Sequence, residues 1–89
     1  MKIKISRRFV KDTQNITDKR FLAKIRNVLT ESETITSINE LENLTQLSGF
    51  SGYYCIKFDY HYRIGLYFDG DTIAFLRVGK REDFYKKFP

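Results

Sequence analysis

The apolar positions change period within the first thirty residues. Met1, Ile3 and Ile5 alternate with Lys2, Lys4 and Ser6, which predicts a short strand with one buried face. Ser6 is a capping type, predicting a first helix over about residues 7–15 that buries Phe9 and Val10. Thr17 and Asp18 are capping types before a second helix. There Phe21, Leu22, Ile25, Val28 and Leu29 recur at the spacing of one helix face. Lys19, Arg20, Lys24 and Arg26 mostly fall off that stripe, so the stripe is core and the cations face water.

Residues 34–52 carry a weaker pattern. Ile35, Ile38, Leu41, Leu44 and Leu47 recur every three residues, and Ser37 can cap one short helical turn. Gly49 and Gly52 punctuate the entry to a β segment. From Tyr53 onward YYCIKF, YRIGLYF and TIAFLRV read as three strands, with Asp69-Gly70 a hairpin signal between the last two. Residues 81–88 can form a final helical turn. The expected fold is a single α+β domain over residues 1–89. An N-terminal strand and a helical hairpin pack on an antiparallel sheet, in the order β-α-α-β-β-β with a short C-terminal helical tail.

Hairpin register decides which side chains share a sheet face. A two-residue turn at Tyr60-His61 mixes apolar and charged residues on both faces. A three-residue loop, Asp59 to His61, pairs Ile56 with Ile64, Phe58 with Tyr62 and Lys57 with Arg63. A three-residue loop in the second hairpin, Asp69 to Asp71, pairs Ile64 with Leu76, Leu66 with Ala74 and Arg63 with Arg77. One face is then Ile56, Phe58, Ile64, Leu66, Phe68, Leu76 and Val78. The other carries Lys57, Arg63 and Arg77 side by side, with Tyr67 and Phe75 placed to stack a base. A two-residue turn at Asp69-Gly70 is the rival register and removes Arg77 from this row. Directly opposed like charges destabilise a sheet by up to ~1 kcal/mol per pair, so the row points to an anion above it. Surface ion pairing with Asp59, Asp69, Asp71, Glu82 or Asp83 is the alternative.

Charge sharpens this picture. The 89 residues carry 16 Lys and Arg against 11 Asp and Glu, a net of +5. Residues 1–30 hold nine cations against two acids, residues 31–45 four acids and no cation. A basic segment beside an acidic one suits a face for a polyanion or an acidic partner. Apolar residues at 42% and aromatics at 16% are enough for one core and argue against disorder. No apolar run reaches the ~18–20 residues a bilayer requires, and MKIKISRRFV has no apolar signal core, so no membrane association is expected. The lone Cys55 excludes an internal disulfide and fits a reducing cytosol.

The order of elements, LSGFSGYYCIKF, the YRIG after the hairpin and the closing VGKREDFYKKFP resemble the RelE/ParE toxin superfamily of type II toxin–antitoxin systems. The resemblance spans nearly the whole chain and is most specific over residues 47–89. It is nearest to the RelE-like branch of mRNA interferases, which usually cut message in the ribosomal A site. Carried over by motif, Lys57 of YYCIKF, Arg63 of YRIG, Arg81 of GKRE and Tyr85 of DFYK are the implied catalytic residues. Arg77, Lys80, Tyr67 and Lys86 are candidate RNA contacts. Cys55 stands where the family usually carries Lys or Arg. The resemblance implies a cytoplasmic endoribonuclease toxin with mRNA as substrate and a cognate antitoxin as partner. ParE-like gyrase inhibition and non-catalytic RNA binding are the rival readings.

Cleavage by attack of the 2′-OH on the adjacent phosphate needs a base, cations for the phosphorane and an acid for the leaving 5′ oxygen. The Lys and Arg cluster meets the second need and offers Lys57 for the first. Arg63 and Arg81 would clamp phosphate oxygens bidentately. Tyr85 would stack on a base or assist proton transfer. His61, the only histidine, falls in the inferred hairpin loop, where a solvated His is commonplace. Cys55 lacks the neighbouring His or carboxylate that a nucleophilic thiol needs. One His and one Cys with scattered acids fit no metal-ligand spacing, and there is no P-loop or GxGxxG. A metal-independent reaction without cofactor is expected.

Overall fold

A computed structural model describes all 89 residues. Strand β1 (Lys2–Ile5) leads into helices α1 (Arg7–Gln14) and α2 (Lys19–Thr34), then a 3-10 turn at Ile38–Glu40. Strands β2 (Leu44–Gln46), β3 (Tyr53–Phe58), β4 (Tyr62–Phe68) and β5 (Thr72–Lys80) follow, and α3 (Arg81–Lys87) closes the chain. The sheet order is β1-β5-β4-β3-β2, with β1 parallel to β5 and every other pairing antiparallel. The α+β class and the order of the expected elements hold, but Ile5 and Val10, expected to be buried, lie exposed, and of the α1 residues only Phe9 is buried. The sheet, however, is mixed and has a fifth strand, β2, that the three-residue apolar spacing concealed.

Caps set the helix starts. The Ser6 hydroxyl accepts the Phe9 N–H at 3.1 Å and donates to the Leu76 carbonyl at 2.9 Å, so one side chain begins α1 and ties it to β5. The Asp18 carboxylate accepts the N–H groups of Arg20 and Phe21, and its other oxygen accepts the Tyr62 hydroxyl at 3.2 Å. Phe9, Phe21, Ile25 and Val28 then pack on Ile56, Ile64, Leu66, Ile73, Phe75 and Val78. Phe21 stacks on Tyr62 with ring centroids 4.0 Å apart.

The first hairpin has the expected register, including Lys57 opposite Arg63. The second does not. Phe68 pairs with Ile73 rather than Thr72, because the Asp69 carboxylate takes the N–H groups of Asp71 and Thr72 at 2.8 Å and Gly70 adopts a φ of +98°. This turn sends Ile73 and Phe75 inward. A bulge beside Gly65 and Leu66 then pairs Leu66 with Phe75 but Gly65 with Arg77, leaving Leu76 as the extra residue. Two expectations are thereby corrected. Phe75 is a fully buried core residue, not a base-stacking one, and Leu76 packs on the other sheet face with Cys55, Phe84 and Phe88.

Arg77 also leaves the expected row, because Arg63 pairs with Gly79. The end of β1 at Ile5 leaves the far half of β5 with an open edge, and Asp12 from α1 fills it. Its carboxylate accepts the Val78 N–H at 3.0 Å, the Arg77 Nε and Nη2 at 2.9 and 3.0 Å, and Lys87 Nζ at 3.4 Å. Burial pushes the Asp12 carboxyl up, but the Arg77 and Val78 hydrogen bonds and the nearby Lys87 and Arg77 charges outweigh it and hold it below the usual value.

Asp12→Ala leaves two cations and a strand N–H facing each other, and is expected to cost roughly 3 kcal/mol in denaturant unfolding at pH 7. Since the folded carboxyl titrates below its ordinary 3.8, its stabilisation is complete above that pH and is lost as pH falls through the lower folded value. The stability difference between wild type and Asp12→Asn should therefore shrink only below about pH 4. A difference that collapses near pH 6 would contradict this assignment.

Candidate active site

The loop Asp59–His61 closes the first hairpin, with Asp59 in the left-handed region at a φ of +59°, a conformation Asp tolerates. Beneath it lies Arg63, only 6% exposed. Its Nη1 donates to the carbonyls of Tyr62, Tyr60 and Asp59 at 2.8, 3.4 and 3.5 Å. Its buried Nε has no partner, and no carboxylate pairs with it. Folding leaves this guanidinium only partly satisfied, an arrangement that destabilises the protein.

Lys57 lies directly across the strand pair from Arg63, exposed and without a carboxylate partner. From the other side α3 covers the same sheet face. Phe84 and Phe88 lie over Gly65, where an added Cβ would meet Phe84 Cζ and Phe88 Cε1 at 2.7 Å. That close approach brings the Tyr85 hydroxyl to 3.6 Å from the Cys55 thiol. Burial first, then the Cys55 contact, raise the Tyr85 phenol above its ordinary value, against a pull from Arg63 in the other direction. The phenol therefore stays protonated as a hydrogen-bond donor at neutral pH. At the start of α3 the Arg81 N–H donates to the His61 carbonyl at 2.7 Å, and the Arg81 guanidinium lies 4.7 Å over the Tyr60 ring.

The four residues named by motif, Lys57, Arg63, Arg81 and Tyr85, thus gather around one hairpin end and the helix above it. The four candidate RNA contacts divide. Lys80 and Lys86 are exposed and unpaired. Arg77 is committed to Asp12. Tyr67 sits at the far end of β4, its ring 4.9 Å from Tyr53 and pressed on Gly52. A cleft of about 250 Å³ between α1, β5 and α3, lined by Asp12, Gly79, Lys80 and Lys87 among others, contains none of the four motif residues. The sequence carried no sign of the Asp12 clasp beyond one acid in a basic helix. The YRIG motif contains Gly65, but its contact with α3 exists only once the bulge and tail are in place. Tyr60 lay in the YHY run without a periodic role.

No family model matches the chain. Among curated proteins it is 33% identical over 90 residues to toxin RelE3 of Methanocaldococcus jannaschii, covering the full length of both. A solved RelB–RelE antitoxin–toxin complex from Methanococcus jannaschii contains a chain that superposes with a TM-score of 0.83 at 30% identity, over 97% of this chain and 99% of that one. YafQ from E. coli superposes with a TM-score of 0.68 at 19% identity, over 90% and 92%, a likeness of fold.

Arg63→Met removes a charge that folding leaves uncompensated. The variant is expected to unfold at a temperature equal to wild type or higher, by roughly 4–8 °C if about 1 kcal/mol is recovered. Differential scanning calorimetry measures it, and a large drop in Tm would show that Arg63 is structural.

Proposed function

The chain belongs to the RelE toxin family, and on that premise we propose that it is the toxin of a toxin–antitoxin pair and acts as a metal-independent endoribonuclease on mRNA at the ribosome. The observation that carries this reading is Arg63, a buried guanidinium without a carboxylate, next to the unpaired Lys57 and beneath the Asp59–His61 loop that Arg81 borders. Such a group matches a phosphodiester, whose oxygens supply the missing acceptors.

In the proposed reaction the 2′ oxygen forms a bond to the neighbouring phosphorus while the bond from phosphorus to the 5′ oxygen breaks. The products are a 2′,3′-cyclic phosphate and a free 5′-hydroxyl. Lys57, as its neutral amine, takes the 2′ proton, Arg63 and Arg81 stabilise the charge that grows on the phosphorane, and Tyr85 hydrogen-bonds the departing 5′ oxygen, which takes its proton from water. Lys80 and Lys86 hold flanking phosphates. The motif residues resemble those of the RelE-like branch, which usually acts at the ribosome, apart from Cys55 where that branch usually carries Lys or Arg.

The antitoxin proposed here is acidic where it meets residues 1–30. Of the nine cations in that segment, only Lys2 has a carboxylate within 4.0 Å, leaving a strong positive field for association.

Primer extension on a reporter mRNA in a translating extract tests the reading. Wild type should generate new ends within translated codons, and Lys57→Ala and Arg81→Ala should each reduce the rate by roughly 10²- to 10³-fold. Tyr85→Phe should cost less, about tenfold. No ends with translation unaffected would sink the proposal, and inhibition of gyrase supercoiling by the same preparation would replace it with the ParE-like reading.

A further inference from the structure

Tyr60 is the most exposed of the large apolar and aromatic side chains left at the surface, at 64%. It sits at the tip of the Asp59–His61 loop with no structural task. Its ring is not loosely held, however. The Tyr60 carbonyl accepts Arg63 Nη1, the His61 carbonyl accepts the Arg81 N–H, and the His61 ring meets Tyr60 edge-on at 5.7 Å and 89°. The Arg81 guanidinium covers part of the ring, yet most of the residue still faces solvent. Tyr60, His61, Arg81 and Glu82 together line a shallow cavity of about 230 Å³.

Holding an aromatic ring mostly in water on an anchored loop contributes little to folding beyond its contact with Arg81, because little apolar area is buried. It does prepare a flat surface whose ordering cost is already met before a ligand arrives. The ligands that match a tyrosine ring beside a guanidinium plane are unpaired nucleobases, which stack on both. The Glu82 carboxylate on the cavity rim adds an acceptor for base N–H donors. We propose that Tyr60 and Arg81 form a stacking subsite for one unpaired nucleobase of the RNA, adjoining the phosphate held by Arg63. Arg63 touches the carbonyl of Tyr60 itself, so subsite and phosphate site share one short segment of chain. The inference rests on the proposed RNA-cleaving function and adds to it a residue that selects the cut position.

The test compares wild type, Tyr60→Phe, Tyr60→Leu and Tyr60→Ala in the translating extract, with initial rates and a map of the bases flanking every new end. Thermal unfolding of each variant confirms that an exposed substitution leaves the fold intact. Tyr60→Phe should keep both rate and base distribution. Tyr60→Ala and Tyr60→Leu should each lose roughly 5- to 150-fold in rate, the range of a single base stack, and should flatten the base preference at one nucleotide beside the cut. An unchanged rate in Tyr60→Ala would overturn the subsite and leave the nuclease reading standing. A slower rate with unchanged base preference would also overturn it, making Tyr60 a prop for Arg81. No ends from wild type would remove the nuclease reading and the subsite with it.

Discussion

The distance between α3 and the sheet governs everything on the outer face, and Gly65 sets that distance. With no Cβ at that position, Phe84 and Phe88 lie directly on the β4 backbone, beside Cys55 and Leu76. The helix has only seven residues, too short to be stable alone, so its position is borrowed from this packing and from Lys87 on Asp12. Tyr85 and Arg81 inherit their places from it. A methyl group at residue 65 would lift the helix, and the phenol and the guanidinium would move away from Lys57 and Arg63 together.

The electrostatics follow a division of labour among cations. Arg77 and Lys87 are neutralised by Asp12, which also satisfies an edge N–H of β5, so their charges serve the fold. Arg63 is buried more deeply than either, yet it has only carbonyl partners on one nitrogen. Arg77 is given a carboxylate and Arg63 is left without one, at a cost in stability. Cys55 fits this contrast. A third cation at that buried position, against Tyr85 and behind Arg63, would add a further uncompensated charge, whereas a thiol packs as a small apolar group and positions the phenol.

Much of this was legible in the chain itself. The alternation of Met1, Ile3 and Ile5, the helical stripe from Phe21 to Leu29, the caps at Ser6 and Asp18 and the Lys57–Arg63 pairing all follow from local rules of period, capping and loop length. Strand β2 was not legible, because three residues are too few to show a period of two against a background spacing of three. The motif around Arg81 and Tyr85 could be named from order along the chain, but not brought to the sheet by it.

The sequence by itself therefore determined the helices, four of the five strands, the first hairpin and the identity of the basic residues, since each depends on neighbours a few positions apart. Only the tertiary structure decided which cations are free. That choice turned on the second hairpin's turn and a one-residue bulge at Leu76, which together reassigned the partner of Arg63, and on Asp12, which reached from α1 to an edge that β1 leaves unpaired. Both are contacts across 65 or more positions or shifts of a single residue in register, and neither leaves a periodic trace for a local rule to read.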